Sequence, residues 1–322
     1  MLIGYTRIAT VQPEEDLDIQ KRLLIDFGCA VENIYSEILS ICRGIQKPKT
    51  ISYLGPEGSH TQGAADKKFG IHTEKIPSKT IKDVFLSVEQ KEADFGIVPL
   101  ENSIEGPVGE TLDEFLISPV KIVGEFSRKI RHSLLSKQKD INKIKTIYSH
   151  PQALAQSKRW IANNLPDVAL KESPSTSEAA KLASKNSMSA SLSPEVCSKI
   201  YKLNILHDSV NDDKNNTTRF LIMSKSQQDR NMELEYITSC IFEVKSIPSA
   251  LYKALGGLAT NGINMIKLES FISDRDFNKA QFYLEFEGHS NDAPVKAALD
   301  EITHYTNQLN ILGVYPKHSF RS

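Results

Sequence analysis

Four short polar stretches carry hydroxyl, amide and carboxylate side chains next to glycine or proline, each just after an apolar run. They are Gly55-Pro56-Glu57-Gly58-Ser59-His60-Thr61, Pro99-Leu100-Glu101-Asn102-Ser103 with Glu105-Gly106, Ser149-His150-Pro151-Gln152, and Ser175-Thr176-Ser177-Glu178. Three of them open helical patterns. Unpaired backbone N–H groups and the positive end of the helix dipole gather at such points and favour an anion. Arg219 adds a fixed cation able to hold a carboxylate in a bidentate pair. In open α/β sheets, ligands bind outside the carboxyl ends of strands, where these stretches fall. Each also has a plainer reading. Helix caps occur in every α/β protein, His150 alone reads as structural, and Glu101 reads as a surface or cap carboxylate. Gly55–Gly58 matches neither a P-loop nor a dinucleotide fingerprint. On these residues alone, the chain is an α/β protein that binds a small organic anion.

The elements that position these stretches follow from apolar spacing. Short strands are predicted at Ile51–Leu54, Asp94–Pro99, Thr146–Ser149 and Arg219–Met223, with helices between them. Thr80 with Asp83, Thr111 with Glu114, and Ser175 with Glu178 have capping-box spacing before apolar helical faces. Alternating strand and helix predicts an α/β fold with a largely parallel sheet. After a polar stretch at Ser224–Glu233, the order changes to βαββαβ. Its strands are Tyr236–Val244, Ile263–Ser270, Ala280–Glu287 and Gln308–Tyr315, and its helices Ser249–Thr260 and Pro294–Tyr305. That order predicts a ferredoxin-like sandwich. Before these two blocks, Leu2–Ile8, Glu14–Phe27 and Asn33–Ile38 read as a short βαβ segment, with Ile41–Thr50 as linker.

Composition bounds the function. The 322 residues are 40% apolar and 25% charged with a net charge of −1. That is ordinary for a globular protein of two or three domains and gives no global field toward nucleic acid or membrane. No apolar run approaches the roughly 20 residues a membrane helix needs, and the N-terminus lacks the pattern of a secretory signal. The four cysteines, Cys29, Cys42, Cys197 and Cys240, have no metal-binding spacing and read as reduced, mostly buried thiols of a cytoplasmic protein.

The same polar stretches resemble the prephenate dehydratase family. FGIVPLENSIEGPVGETLD at Phe95–Asp113 is similar to its most recognisable motif. GPEGSHTQGAA at Gly55–Ala65 is similar to its opening motif, with Ser59-His60 where Thr-Phe is common. SHPQALAQ (Ser149–Gln156), STSEAA (Ser175–Ala180) and NNTTRF (Asn215–Phe220) complete five motifs in order over about 170 residues. Ser191 and Lys202 stand where the family usually has Ala and Gly. The third block resembles the family's ACT domain through PSALYKAL (Pro248–Leu255), KLES (Lys267–Ser270) and LGVYP (Leu312–Pro316). There Ser249 takes the place of a usual Gly, and Phe271-Ile272 that of Arg-Pro. The first block resembles the start of serine recombinases, but Ala9 occupies the position of their nucleophilic serine, and a methyl group cannot attack a phosphodiester.

The resemblance implies a two-lobed, periplasmic-binding-protein-like catalytic domain with parallel-rich sheets over residues 50–227. It implies an ACT regulatory domain over 235–318, and a truncated resolvase-like βαβ segment over 1–48. The implied reaction is the decarboxylating dehydration of prephenate to phenylpyruvate, on the route to phenylalanine, without metal or cofactor. Arogenate dehydration and a non-catalytic amino-acid sensor are the alternatives. The implied catalytic set is Thr218, Asn102, Gln152 and Glu101. Arg219, Phe220, Ser103, Ser149, His150, Ser175, Thr176, Gly55 and Ser59 are the implied substrate contacts, with Arg219 either pairing with a carboxylate or bracing the Thr218 loop, and Glu101 either orienting the network or serving as proton source. Phenylalanine is the implied effector, at Ser249, Ala250, Leu251, Asn264, Glu269 and Ser270. A homodimer or homotetramer is expected, with neither nucleic acid nor membrane as partner.

Overall fold

A computed structural model describes residues 49–70, 73–271 and 281–321. The βαβ segment expected at the N-terminus, with Cys29 and Cys42, lies outside these residues. The chain opens with β1 (Thr50–Leu54), α1 (His60–Phe69), β2 (Glu74–Ser78), α2 (Ile81–Glu89), β3 (Phe95–Asn102), β4 (Gly106–Pro107), α3 (Gly109–Ile117) and β5 (Lys121–Lys129). It then builds a second lobe from β6 (Ser133–Ser136), β7 (Thr146–Ser149), α4 (Pro151–Ala155), α5 (Lys158–Asn164), β8 (Ala169–Glu172), α6 (Thr176–Ala183), β9 (Ser189–Ser193), α7 (Val196–Tyr201) and β10 (Asn204–His207). It returns to the first lobe as β11 (Thr217–Ser224). A βαββαβ unit follows: β12 (Tyr236–Val244), α8 (Ala250–Thr260), β13 (Met265–Phe271), β14 (Gln281–Glu287), α9 (Ala293–His304) and β15 (Thr306–Pro316).

The second lobe has its own sheet, in the order β10-β6-β9-β7-β8. The first lobe and the βαββαβ unit share one larger sheet, in the order β13-β14-β12-β15-β5-β11-β3-β1-β2, with β4 beside β3. The two parts join where β15 pairs in parallel with β5 at Gly313 and Ile122. A Cβ on Gly313 would lie 2.1 Å from the carbonyl oxygen of Ile122, so the approach requires glycine. The first-lobe sheet is mixed, which corrects the expectation of a largely parallel one. β1, β2 and β3 run parallel. β11 re-enters from the second lobe and therefore pairs antiparallel with both β3 and β5.

One apolar cluster crosses the join: Phe85, Phe115, Leu221 and Met223 pack with Ile237, Ile241, Tyr283 and Tyr315. A second cluster seats α8 and α9 on the far part of the sheet through Ala254, Leu258, Ala298, Leu299 and Phe286. The second lobe closes around Leu134, Ile147, Leu154 and Leu192. Thr80 and Asp83 cap α2 reciprocally, as their spacing predicts. Ser175 accepts from the Glu178 amide at the start of α6. Thr111 departs from the expected capping box. It lies inside α3, whose N-cap is Val108, and donates to the Pro99 carbonyl at 2.7 Å. Cys197 and Cys240 are buried free thiols, and burial pushes each up to about 12.

Candidate functional site

A cavity of about 370 Å3 lies between the two lobes. The first lobe contributes the turn from β1 into α1, the end of β3 and the start of β11. The second contributes the N-terminal ends of α4 and α6. At its centre Asn102 of β3 and Thr218 of β11 are cross-strand partners. Asn102 Nδ2 donates to Thr218 Oγ1 at 2.8 Å and to Asn216 Oδ1 at 2.7 Å. Its carbonyl oxygen accepts from the Ile104 and Glu105 amides at 3.0 and 3.2 Å. Asn216 Nδ2 donates to Gln156 Oε1 at 2.9 Å, and Gln156 Nε2 to Glu105 Oε1 at 3.1 Å. The network fixes the Asn102 amide as a donor toward Thr218. Thr218 is buried, 8% exposed, and lines the cavity. Its own hydroxyl proton is committed to no partner among the described residues, so it is available to a ligand.

Of the expected residues, Gly55, Ser59, Asn102, His150, Gln152, Ser175, Thr176, Thr218 and Phe220 line the cavity. Three of them also do the plain work of caps. Ser59 Oγ accepts from the Gln62 amide at 3.2 Å, His150 Nδ1 from the Gln152 amide at 3.4 Å, and Ser175 Oγ from the Glu178 amide at 3.0 Å. Four expected residues are placed elsewhere. Ser149 Oγ donates to the buried Leu192 carbonyl at 2.7 Å, and Ser103 Oγ accepts from the Thr217 amide at 3.0 Å. Glu101 and Arg219 face the opposite side of the sheet. Successive strand residues alternate faces, so with Asn102 and Thr218 turned into the cavity their neighbours must turn out of it.

Arg219 therefore meets protein carboxylates and not a ligand. Its Nε donates to Glu125 at 2.8 Å, its Nη2 to Glu285 at 2.6 Å and its Nη1 to Glu101 at 3.2 Å. Arg321 completes the cluster, 2.7 Å from both Glu125 and Glu285. Tyr283 donates to Glu285, and Tyr315 pairs with Ser239 at 2.8 Å. Burial alone would lower the Arg219 pKa, but Glu285, the two tyrosines and Glu125 hold it above its usual value. Burial would raise the Glu285 carboxyl, but Arg219 and Arg321 hold it below the usual carboxylate range. Both charges are thus locked in place.

Several cavity residues were not singled out from the sequence. Asn216 sits two positions before Thr218, so the strand period alone puts both on one face. Gln156 and Glu105 lie within recognised motifs. His60 stands in the first motif where Phe is common, and His132 had no signal. Their rings meet edge to face, with centroids 5.2 Å apart. Burial, then each other's proximity and Arg128, drive the His60 pKa well below its usual value. Burial brings His132 down to about 4, although a side-chain hydrogen bond to Gln156 opposes it. Both rings are neutral near pH 7. No lysine or arginine lines this cavity among the described residues.

The residues expected to hold an effector divide. Ser249 precedes α8 with φ of 61°, Ala250 and Leu251 begin that helix, and Glu269 and Ser270 lie on β13. A second cavity, of about 460 Å3, is lined from this set by Asn264 alone.

The family described as prephenate dehydratase matches residues 51–228. A bifunctional chorismate mutase/prephenate dehydratase of Aquifex aeolicus is 41% identical over 89% of this chain and 79% of its own. A solved prephenate dehydratase of Arthrobacter aurescens in complex with L-Phe is 26% identical, with a TM-score of 0.75 over 83% of this chain and 90% of that one. A structure described as a novel type of quorum-quenching acylase is 30% identical, with a TM-score of 0.78 over 85% of this chain and 100% of that one.

Proposed function

The chain belongs to the prephenate dehydratase family, and from that premise we propose how its cavity converts prephenate to phenylpyruvate. Prephenate carries two carboxylates and a ring hydroxyl. The reaction expels the hydroxyl and carbon dioxide together, and formation of the aromatic ring supplies much of the drive. The protein must hold the dianion and help the hydroxyl leave as water. One observation carries the reading: Asn102 donates to Thr218 Oγ1 at 2.8 Å, which leaves the Thr218 proton free to face the cavity. Thr218 donates to the leaving hydroxyl, and Asn102 orients it. An alcohol is a poor acid, so orientation and relay carry the effect, not acidity. Gln152, whose side-chain amide accepts and donates no bond to the described residues, hydrogen-bonds the substrate. Ser175, Thr176 and His150 line the cavity from the second lobe, and Ser59 from the β1–α1 turn. With no lysine or arginine in the wall among the described residues, neutral donors and helix N-termini take the place of a cation. Glu101 and Arg219 brace the strands from behind.

The βαββαβ unit reads as an ACT domain, with phenylalanine as its effector at Ser249, Ala250, Leu251, Asn264, Glu269 and Ser270. The motifs of that block support this, as does the L-Phe complex of the Arthrobacter relative. The same reading makes the protein a cytoplasmic homodimer or homotetramer with domains at 50–227 and 235–318. Residues 1–48 are then a catalytically dead recombinase-like segment.

The test is phenylpyruvate formation from prephenate by purified protein, with and without phenylalanine, beside a parallel assay on arogenate. Thr218→Ala is expected to lower kcat by about 100-fold or more, with a much smaller change in KM. Near-normal turnover in that variant would remove Thr218 from the mechanism. Turnover unchanged by phenylalanine would keep the enzyme and remove the effector site.

A further inference from the structure

The pair behind the reacting residues is held from outside the lobe that carries them. In the β3–β11 ladder, Thr218 faces Asn102 and Arg219 faces Glu101. The first pair fronts the cavity and the second backs it. Immediately after, the register slips, and Phe220 pairs with Pro99. A slipped ladder has no regular hydrogen bonds to fix its spacing, so side chains must do so. The βαββαβ unit grips both members of the back pair. Lys267 of β13 contacts Glu101, and Glu285 of β14 reaches Arg219 Nη2 at 2.6 Å. Lys267 also lies 3.7 Å from Glu269, on a strand whose only sheet neighbour among the described residues is β14. Glu101 and Glu269 therefore share one ammonium group.

We propose that Lys267 and Glu285, neither of which touches the cavity, are positioning residues for the dehydration. They fix the Glu101–Arg219 pair and, through the two strands, set the distance between Asn102 and Thr218. This rests on the reading of Asn102 and Thr218 as the reacting pair. The placement explains why an arginine next to Thr218 is spent on three glutamates. It also makes β13 able to act on the cavity, because drawing Lys267 toward Glu269 releases Glu101. An oxygen misplaced by about 1 Å costs up to 100-fold in rate, so a small loosening is measurable.

Lys267 is the residue to test, because its side chain is 20% exposed and a methionine can occupy its stem. Lys267→Met is expected to lower kcat about fivefold to tenfold, with KM within twofold and the thermal midpoint close to that of the parent. Lys267→Arg is expected to restore most of the loss. In an Asn102→Ala background, Lys267→Met is expected to change kcat less than twofold, because the group it positions is gone. Parental kcat in Lys267→Met, with Thr218→Ala inactive, overturns the proposal and leaves the catalytic reading standing. An equal loss in both backgrounds also overturns it. Normal turnover in Thr218→Ala overturns the catalytic reading itself.

Discussion

The two lobes that enclose the cavity are held together by different chemistry. Behind the first lobe's strands lies a buried charge cluster, with Glu125 at 1%, Glu285 at 0% and Arg219 at 5% exposure. The second lobe buries hydroxyls instead. Ser136 Oγ donates to the Ser189 carbonyl at 2.7 Å, and Ser193 Oγ to the Thr176 carbonyl at 2.6 Å. Its ion pairs, Lys181–Glu178 and Arg159–Asp212, stand at the surface. A buried charge cluster adds little net stability but tolerates few alternative geometries. Neutral hydroxyl bonds contribute about 1 kcal/mol each and are separately replaceable. Thr218 and Asn102 are built on the first kind of support, whereas Gln152, Ser175 and Thr176 are presented by the second. The atoms that must be placed most closely are therefore carried by the lobe with the least freedom.

Removing one charge from the cluster should separate the lobes most clearly. Glu285→Gln leaves Arg219 and Arg321 short of a carboxylate in a buried site, and is expected to cost about 3 kcal/mol in chemical denaturation. Ser193→Ala in the second lobe is expected to cost about 1 kcal/mol by the same measurement. Equal losses would erase the distinction.

Acid separates the supports by pH. The His132 pKa is lowered in the folded state to about 4 by burial, from a usual value near 6.5. The unfolded chain therefore binds the extra proton first. The stability from a neutral His132 is complete above about pH 6.5 and is lost as pH falls through its folded value. Glu285 is also lowered, from a usual carboxylate value. Its contribution is complete above about pH 4.5 and disappears only below that. Unfolding free energy measured from pH 7 to pH 3 should thus fall in two steps. His60, also lowered by burial, titrates in the same window, so His132→Asn is expected to shrink the upper step, His60→Asn with His132→Asn to flatten it, and both to leave the lower one. Loss of the lower step in either variant would mean that the histidine pair and the cluster titrate together.

Gln152→Ala tests the second lobe's share in binding. One neutral hydrogen bond to an anion is worth about 1.5 kcal/mol, close to a tenfold rise in KM. Because it is made in both ground and transition states, kcat should hold within about threefold. A loss confined to kcat would move Gln152 to the reacting end of the cavity.

Much of this division was legible in the sequence, and the exceptions share one cause. Strand and helix order and the capping pair Thr80–Asp83 follow from local spacing, and the motif resemblance points to Asn102, Gln152 and Thr218, which line the cavity. Arg219 does not. Next to Thr218 in a motif, it reads as a ligand for substrate carboxylate or as a brace for the Thr218 loop, and only the alternation of β11 turns it into the cluster. Glu101 turns away from Asn102 for the same reason. The partners that then occupy them, Glu125, Glu285 and Lys267, lie 94, 66 and 166 residues away along the chain, and no local pattern links them. His60 and His132 come together only when the chain has crossed from α1 to the head of β6. The mixed direction of the first-lobe sheet is likewise a consequence of the return from the second lobe.

Lys202 offers the smallest effect and a sharp one. It ends α7 in the left-handed region, with φ of 53° and ψ of 52°, and its side chain is exposed. Ser249, before α8, has φ of 61°. Both stand where the sequence motifs usually carry glycine, and both conformations are ones that glycine adopts without a Cβ clash. At Lys202 the left-handed backbone costs about 1 kcal/mol, partly offset by the greater freedom of glycine in the unfolded chain. Lys202→Gly is expected to raise stability by up to about 1 kcal/mol without altering kcat, because α7 does not line the cavity. A fall in stability would mean that the lysine side chain supports the second lobe through its surface contacts. A change in kcat would mean that the lobe with neutral supports also sets the position of the reacting atoms.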